Sequence, residues 1–218
     1  MTQYLVFDTE TSGLFDFRKS ADAPGQPRLA SFCSLEVDEN FEITDTFNTL
    51  VQPSGWEITP EAAAINGLTK ERCEAEGVDI RDVLQYYQMQ IEAGRVLLAY
   101  NAQFDTKVMR REFRLLELPD LFETTPNICV MRACHTIGIP KLGEKKGGFP
   151  KLSDSYAHLL GKPMGKMHEA FADALACYKI AAELQKRGAL PSAEIHYAKN
   201  RPEAAAPSTP VAETDLPF

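Results

Sequence analysis

Gln3-Tyr4-Leu5-Val6-Phe7-Asp8-Thr9-Glu10-Thr11 reads as a strand that leaves the core and ends on two carboxylates. The run Tyr4-Leu5-Val6-Phe7 has few polar breaks, which suits a central strand buried on both faces. Residues i and i+2 of a strand face the same way, so Asp8 and Glu10 can serve one site at its end. Ser12-Gly13-Leu14 then turns the chain, and residues 16–27, rich in Pro, Gly, Asp and Arg, read as a loop.

Two later fragments carry chemistry that matches this one. Val96-Leu97-Leu98-Ala99-Tyr100 reads as a second buried strand, followed by Asn101-Ala102-Gln103-Phe104-Asp105. Asn101 is suited to cap a helix, which puts Asp105 near that helix's N-terminus at the carboxyl end of a strand. Alone, Asp105 would pass for a carboxylate answering the helix dipole. The last fragment is His168, followed five residues later by Asp173. Five positions are about 140° around a continuous helix, so both cannot point one way from mid-helix. His168 is therefore expected in the loop before the helix, free to swing over the site. Asp173 lies among Ala172, Ala174 and Ala176, where a lone buried carboxylate would be costly.

Together these fragments supply four carboxylates and one imidazole. Carboxylates gathered in one place repel each other unless cations sit among them. Hard oxygen ligands suit Mg²⁺ or Mn²⁺, ions that also bind phosphate. The economical reading is a metal-dependent phosphodiester-cleaving site with His168 as proton acceptor. His135, His158 and His196 lack such partners and read as structural.

The rest of the chain supplies a frame. Leu29 to Val37 and Glu42 to Val51 read as strands joined by Asp38-Glu39-Asn40. Pro60 opens a short helix over 61–65 that Gly67 ends. Another short helix starts at Thr69-Lys70-Glu71-Arg72, and an amphipathic one runs from about Asp79 to Glu92. Ile128 to Met131 reads as a short edge strand, with helices expected at about 131–137, 152–160 and 170–187. In the last, Ala170, Ala174, Ala176, Cys177, Ile180, Ala181 and Leu184 form a small-residue face for close packing on a sheet. This order implies a mixed α/β sheet flanked by helices.

Composition sets the bounds. A chain of 218 residues with 44% hydrophobic content suits one domain, expected over 1–190, plus a tail. No apolar run is long enough to span a membrane, and Met1-Thr2-Gln3-Tyr4 does not open a signal peptide. The five cysteines are odd in number and form no C-x-x-C pair, which fits reduced buried thiols and a cytoplasmic protein. A net charge of −8 argues against coating nucleic acid through the overall field, not against acting on it. Lys141, Lys145, Lys146, Lys151, Lys162 and Lys166 form a local basic segment leading into His168, suited to phosphate contact or simply solvated.

The three fragments, in this order, resemble the DEDDh 3′→5′ exonucleases, a family that includes proofreading subunits of bacterial replicative polymerases and RNase T. The resemblance runs from about Gln3 to about Gln185. It implies a ribonuclease-H-like fold and assigns roles by position. Asp8 would bridge two cations, Mg²⁺ or Mn²⁺, with Glu10 and Asp173 on the nucleophile side. Asp105 would support the second cation, directly or through water. His168 would take a proton from the attacking water. Thr9, Leu14, Asn101 and Phe104 match the pocket for the terminal nucleotide, although Leu14 and Phe104 fit core packing equally well. The implied activity is release of nucleoside 5′-monophosphates from single-stranded or frayed 3′ ends, DNA favoured. An RNA-trimming enzyme and a non-catalytic replication-associated module are the alternatives. Two positions depart from the pattern: Tyr100 stands where many relatives have His, and Asn66-Gly67 where many have His-Gly.

Residues 191–218 read as a disordered linker, poor in large apolar side chains. They end in Glu213-Thr214-Asp215-Leu216-Pro217-Phe218. This peptide resembles the acidic Pro-Phe tip of bacterial single-stranded-DNA-binding proteins and also the sliding-clamp-binding motif, from which Glu213 departs. A docking role on such partners is the resulting expectation.

Overall fold

The structure, a computed structural model, describes residues 2–142, 148–165 and 167–195. At its centre is β1 (Tyr4–Thr11), the third strand of a five-stranded sheet. The order is β3-β2-β1-β4-β5, with β2 at Leu29–Val37, β3 at Ile43–Leu50, β4 at Val96–Ala99 and β5 at Asn127–Cys129. β1, β2 and β3 pair antiparallel, whereas β4 joins β1, and β5 joins β4, in parallel. The expected mixed sheet is therefore present.

Alternation along β1 divides the core in two. Val6 packs with Leu98, Ile180, Ala181 and Leu184 on one face. Leu5 and Phe7 pack with Leu84, Tyr87, Met109 and Phe113 on the other. Helix α7 (Ala170–Lys186) covers the first face. Helices α3 (Ile80–Glu92) and α4 (Ala102–Leu115) cover the second. Ala174, Ile180, Ala181 and Leu184 of α7 are completely buried. Small side chains on that face let the helix approach β1 and β2 closely. Full burial of residues such as Ile180 and Leu184 contributes about 1.5–3 kcal/mol each.

Two short helices follow β3. In α1 (Pro60–Asn66), the Thr59 side chain accepts the Ala62 N–H and Pro sits in the first turn. Gly67 ends it in the left-handed region, at φ 69°. α2 (Lys70–Glu76) is capped by Thr69. Past β5 come α5 (Val130–Thr136) and α6 (Leu152–Leu160). A buried ion pair holds the loop before β2 against α4. Glu112, 1% exposed, accepts from both Nε and Nη2 of Arg28 and from the Leu29 N–H.

Two expectations need correction. The edge strand ends at Cys129 rather than Met131, because the Met131 N–H turns back to the Tyr100 carbonyl (2.8 Å) as α5 begins. Asn101 occupies the cap position of α4, but its side chain makes no capping hydrogen bond. Beyond α7 the chain returns to the sheet. Glu194 exchanges backbone hydrogen bonds of 3.0 and 3.1 Å with Asn127, pairing with the otherwise open edge of β5.

All five cysteines are free and buried. Among the described residues, no helix is long and apolar enough to cross a membrane. Lys145, Lys146, Lys166, His196 and the peptide Glu213–Phe218 lie outside the described residues.

Candidate active site

The sheet's two faces bring the acidic residues together from opposite sides. Asp8 and Glu10 follow Val6 in the alternation of β1 and so face α7. Asp8 stands opposite Cys33 of β2 in register. Cys33 packs against Ala170 and Ala174, the residues that flank Asp173 on the inner side of α7. The small alanines thus let the first turn of α7 press onto the sheet beside Asp8. Carboxylate oxygens of Asp8, Glu10 and Asp173 come within 4.8 Å of one another.

Asp105 arrives by another route. It sits in the first turn of α4, on the face shared by Phe7 and Thr9. Its Oδ1 accepts the Thr9 backbone N–H (3.0 Å) and the Thr9 hydroxyl (2.9 Å). Asp105 is 3% exposed and stands beside the close trio rather than within it. Thr9 is a tether between β1 and α4, with its hydroxyl proton committed to Asp105.

His168 lies in the segment before α7, as its spacing from Asp173 predicts. Its backbone N–H donates to Asp173 Oδ2 (3.0 Å), and its φ of 60° is in the left-handed region. A non-glycine residue there is strained by roughly 1–2 kcal/mol, so the surrounding bonds must hold it. Its imidazole remains exposed. Asp173 Oδ1, by contrast, is buried with no protein hydrogen-bond partner. A buried, unmatched carboxylate oxygen beside two other carboxylates is suited to a cation.

Electrostatics carry the same message. Burial, and then Asp105, Glu10 and Asp173 nearby, push Asp8 well above the usual carboxylate range. Burial first, then Asp173 and Asp105, raise Glu10 to about 7, partly offset by a hydrogen bond from the Asn66 side chain. Asp105 is raised to about 7 by burial, against the lowering effect of its Thr9 bonds. Asp173 is raised by burial, against the His168 N–H. Without a cation, burial and mutual repulsion disfavour the charged form of every member of this set.

These residues line one open cavity of about 360 Å³. Asp8, Thr9, Glu10, Leu14, Asn101, Phe104, Asp105, His168 and Asp173 all reach it. Leu14 is 72% exposed, which removes the core-packing reading for it. The exposed His135 and His158 are not among its lining residues.

The wall also holds residues that sequence reasoning did not select: Phe15, Ile65 and Leu152, with Asn66 noticed only as a departure. Ile65 is the single large apolar residue of α1 and is 48% exposed, a signal that was legible in Pro60-Glu61-Ala62-Ala63-Ala64-Ile65-Asn66. Asn66 donates to the Thr11 carbonyl (3.2 Å) and accepts the Leu68 N–H (3.0 Å), which fixes its amide beside Glu10. Tyr100 is a structural pin. Its hydroxyl lies 3.0 and 2.8 Å from the carbonyls of Pro150 and Lys151 and 2.7 Å from Ser155 Oγ. It thereby anchors the start of α6 against β4.

Comparison with known proteins adds the lineage. The family model RNase_T, described as "Exonuclease", matches residues 5–181. A DNA polymerase III subunit epsilon-like protein of Rhodobacter capsulatus is 32% identical over 114 residues, 52% of this chain and 15% of that protein. The zinc-bound complex of E. coli exonuclease I with single-stranded DNA superposes with a TM-score of 0.70 at 20% identity, covering 86% of this chain and 41% of that one. E. coli exonuclease I with a dT13 oligonucleotide gives 0.68 at 22% identity, covering 86% and 42%. The chain thus spans less than half the length of each of these relatives. At such identities the structural likeness speaks for the fold, a ribonuclease-H-like sheet flanked by helices.

Proposed function

The chain belongs to the RNase_T exonuclease family, a DEDD-type family of 3′→5′ exonucleases, and on that premise we propose that it trims single-stranded DNA, releasing nucleoside 5′-monophosphates by two-metal hydrolysis. The observation that carries this reading is the trio Asp8, Glu10 and Asp173, with oxygens within 4.8 Å, in a cavity that also holds His168.

The donor set fits a divalent cation. Every donor is a hard carboxylate oxygen, one oxygen of Asp173 is buried without a partner, and burial and mutual repulsion hold the carboxylates above their usual range. Asp8, Glu10 and Asp173 would hold one Mg²⁺ or Mn²⁺, and Asp8 with Asp105 a second. Bound there, such ions supply Lewis acidity and positive charge for a phosphodiester undergoing in-line displacement.

The chain's own residues do the rest. His168, exposed at the cavity and fixed through its backbone by Asp173, takes the proton of the attacking water on a ring nitrogen. The water oxygen bonds to phosphorus as the bond to the 3′-oxygen of the preceding nucleotide breaks. Leu14 and Phe104 give the terminal base apolar surface, and Asn101 gives it a polar edge. Thr9, its hydroxyl held by Asp105, lines the same pocket beside them. Support for a DNA substrate comes from likeness to a polymerase III epsilon-like protein and to exonuclease I complexes holding single-stranded DNA. The cytoplasm is the proposed compartment, consistent with five free thiols. The peptide Glu213–Phe218 is proposed to dock on a sliding clamp or on a protein that reads single-strand-binding tips.

The test is digestion of 5′-labelled DNA and RNA oligonucleotides of one sequence, with Mg²⁺ or Mn²⁺ and with EDTA. The expected result is a DNA ladder shortening from the 3′ end and abolished by EDTA. Faster loss of RNA would favour the RNA-trimming alternative, and cleavage surviving EDTA would overturn the metal mechanism.

A further inference from the structure

Beside the cavity, the loop after β1 carries an aromatic and basic run, Phe15-Asp16-Phe17-Arg18-Lys19, that the reaction as described does not use. Phe15 and Phe104 line the cavity wall. The Phe17 ring stands one layer further out, 5.9 Å from Phe15 and 6.1 Å from Phe104, and Phe17 is 48% exposed. The half of Phe17 that stays in water gains nothing from being there. The loop nevertheless holds it there by several independent ties. Lys107 Nζ donates to the carbonyls of Phe17 (3.4 Å) and Lys19 (2.8 Å) and lies 5.1 and 5.2 Å from the Phe15 and Phe17 ring centres. Gln26 bonds both the N–H (2.9 Å) and the carbonyl (2.7 Å) of Asp16. Arg111 Nη1 donates to the carbonyls of Ala21 (2.8 Å) and Ala23 (3.1 Å).

Resting on the function proposed above, we infer that Phe17 is a base-stacking residue. It presents an aromatic face to one of the last two nucleobases of a single strand whose 3′ end lies in the cavity. Three observations select this occupant. The ring is continuous with the cavity through Phe15 and Phe104. Its surroundings are net basic, because Arg18 and Lys19 share the single carboxylate of Asp16. Aromatic faces interleaved with cations are the recurring chemistry of single-strand binding, where each base offers a π-face and each linkage a negative charge. Lys107 is a positioning residue: it holds the ring outward and leaves the stacking to Phe17.

The test measures binding separately from cleavage. Fluorescence anisotropy of a 5′-fluorescein oligonucleotide, with Ca²⁺ in place of Mg²⁺, gives Kd for the full strand and for strands abasic at the last or second-last position. Phe17→Ala should weaken binding of the full strand at least about fivefold, the low end of one base–aromatic stack. Phe17→Trp should retain it. On the abasic strand that lacks the stacked base, wild type and Phe17→Ala should converge. An equal loss on all three strands, or a change under about twofold, would overturn the inference. If Phe17→Ala does not fold, Phe17→Leu carries the same comparison, since it keeps apolar bulk and removes the π-face. Base-dependent binding through Phe17 in a protein that shortens no oligonucleotide would sink the proposed exonuclease activity and leave this inference standing.

Discussion

Asp8 sits in an environment unfavourable to a bare charge, and its neighbours explain why. Burial and three nearby carboxylates all raise it, so the metal-free site stores repulsion. Removing that charge should stabilise the metal-free protein: Asp8→Asn should melt higher than wild type in EDTA at about pH 8, read by differential scanning calorimetry. The sign follows from Glu10, whose range is raised from 4.5 to about 7. Its neutral form is the one the fold tolerates, so this contribution is complete below 4.5 and is lost as pH rises through about 7. Wild type in EDTA should therefore lose stability across that window, and Mn²⁺ should restore it most at the alkaline end. His168→Ala should lower turnover by ~10²–10⁴-fold with cation binding largely retained, as calorimetric titration would show. A loss of less than about threefold would make His168 a bystander. At this scale the acidic residues were legible because strand alternation and helix spacing place them by simple geometry. Asn66 and Ile65 were not, because their position depends on how α1 docks against the end of β1, a contact between segments far apart in sequence.

Among the elements, α7 shows how packing becomes chemistry. Its Ala170 and Ala174 meet Cys33 directly across from Asp8. Ala174→Leu should force the helix away from β2, costing about 1–3 kcal/mol by overpacking. It should also separate Asp173 from Asp8, so activity should fall and the Mn²⁺ needed for half-maximal rate should rise. Unchanged cation dependence in a folded Ala174→Leu protein would show that the helix position does not set the site. The frame of β1, β2, β4 and α7 was legible because burial on one or two faces leaves a period in the sequence. The end of β5 and the Asn101 cap were less so. The first depends on a partner distant in the chain, because the Tyr100 carbonyl takes the Met131 N–H; in the second, the Asn101 side chain makes no capping hydrogen bond and the residue lines the cavity.

For the whole molecule, the site and the tail should be separable. Deleting residues 213–218 should leave hydrolysis of bare oligonucleotides unchanged. It should weaken capture by an immobilised sliding clamp or by a protein that binds single-strand-binding tips. Equal capture of the full and shortened proteins would leave the tail without a docking role. Composition speaks to where a core ends and is silent on backbone pairing beyond it. A loss of apolar residues marks where a core ends, but a backbone pairing such as Glu194 with Asn127 needs no apolar side chain. The central claim, that gathered carboxylates drive hydrolysis from a 3′ end, is tested most directly by one time course. A 5′-labelled single-stranded DNA is incubated with Mn²⁺ and either wild type or folded Asp8→Ala protein. The prediction is a ladder shortening from the 3′ end with wild type and none with the variant. Near-wild-type shortening by Asp8→Ala would contradict it.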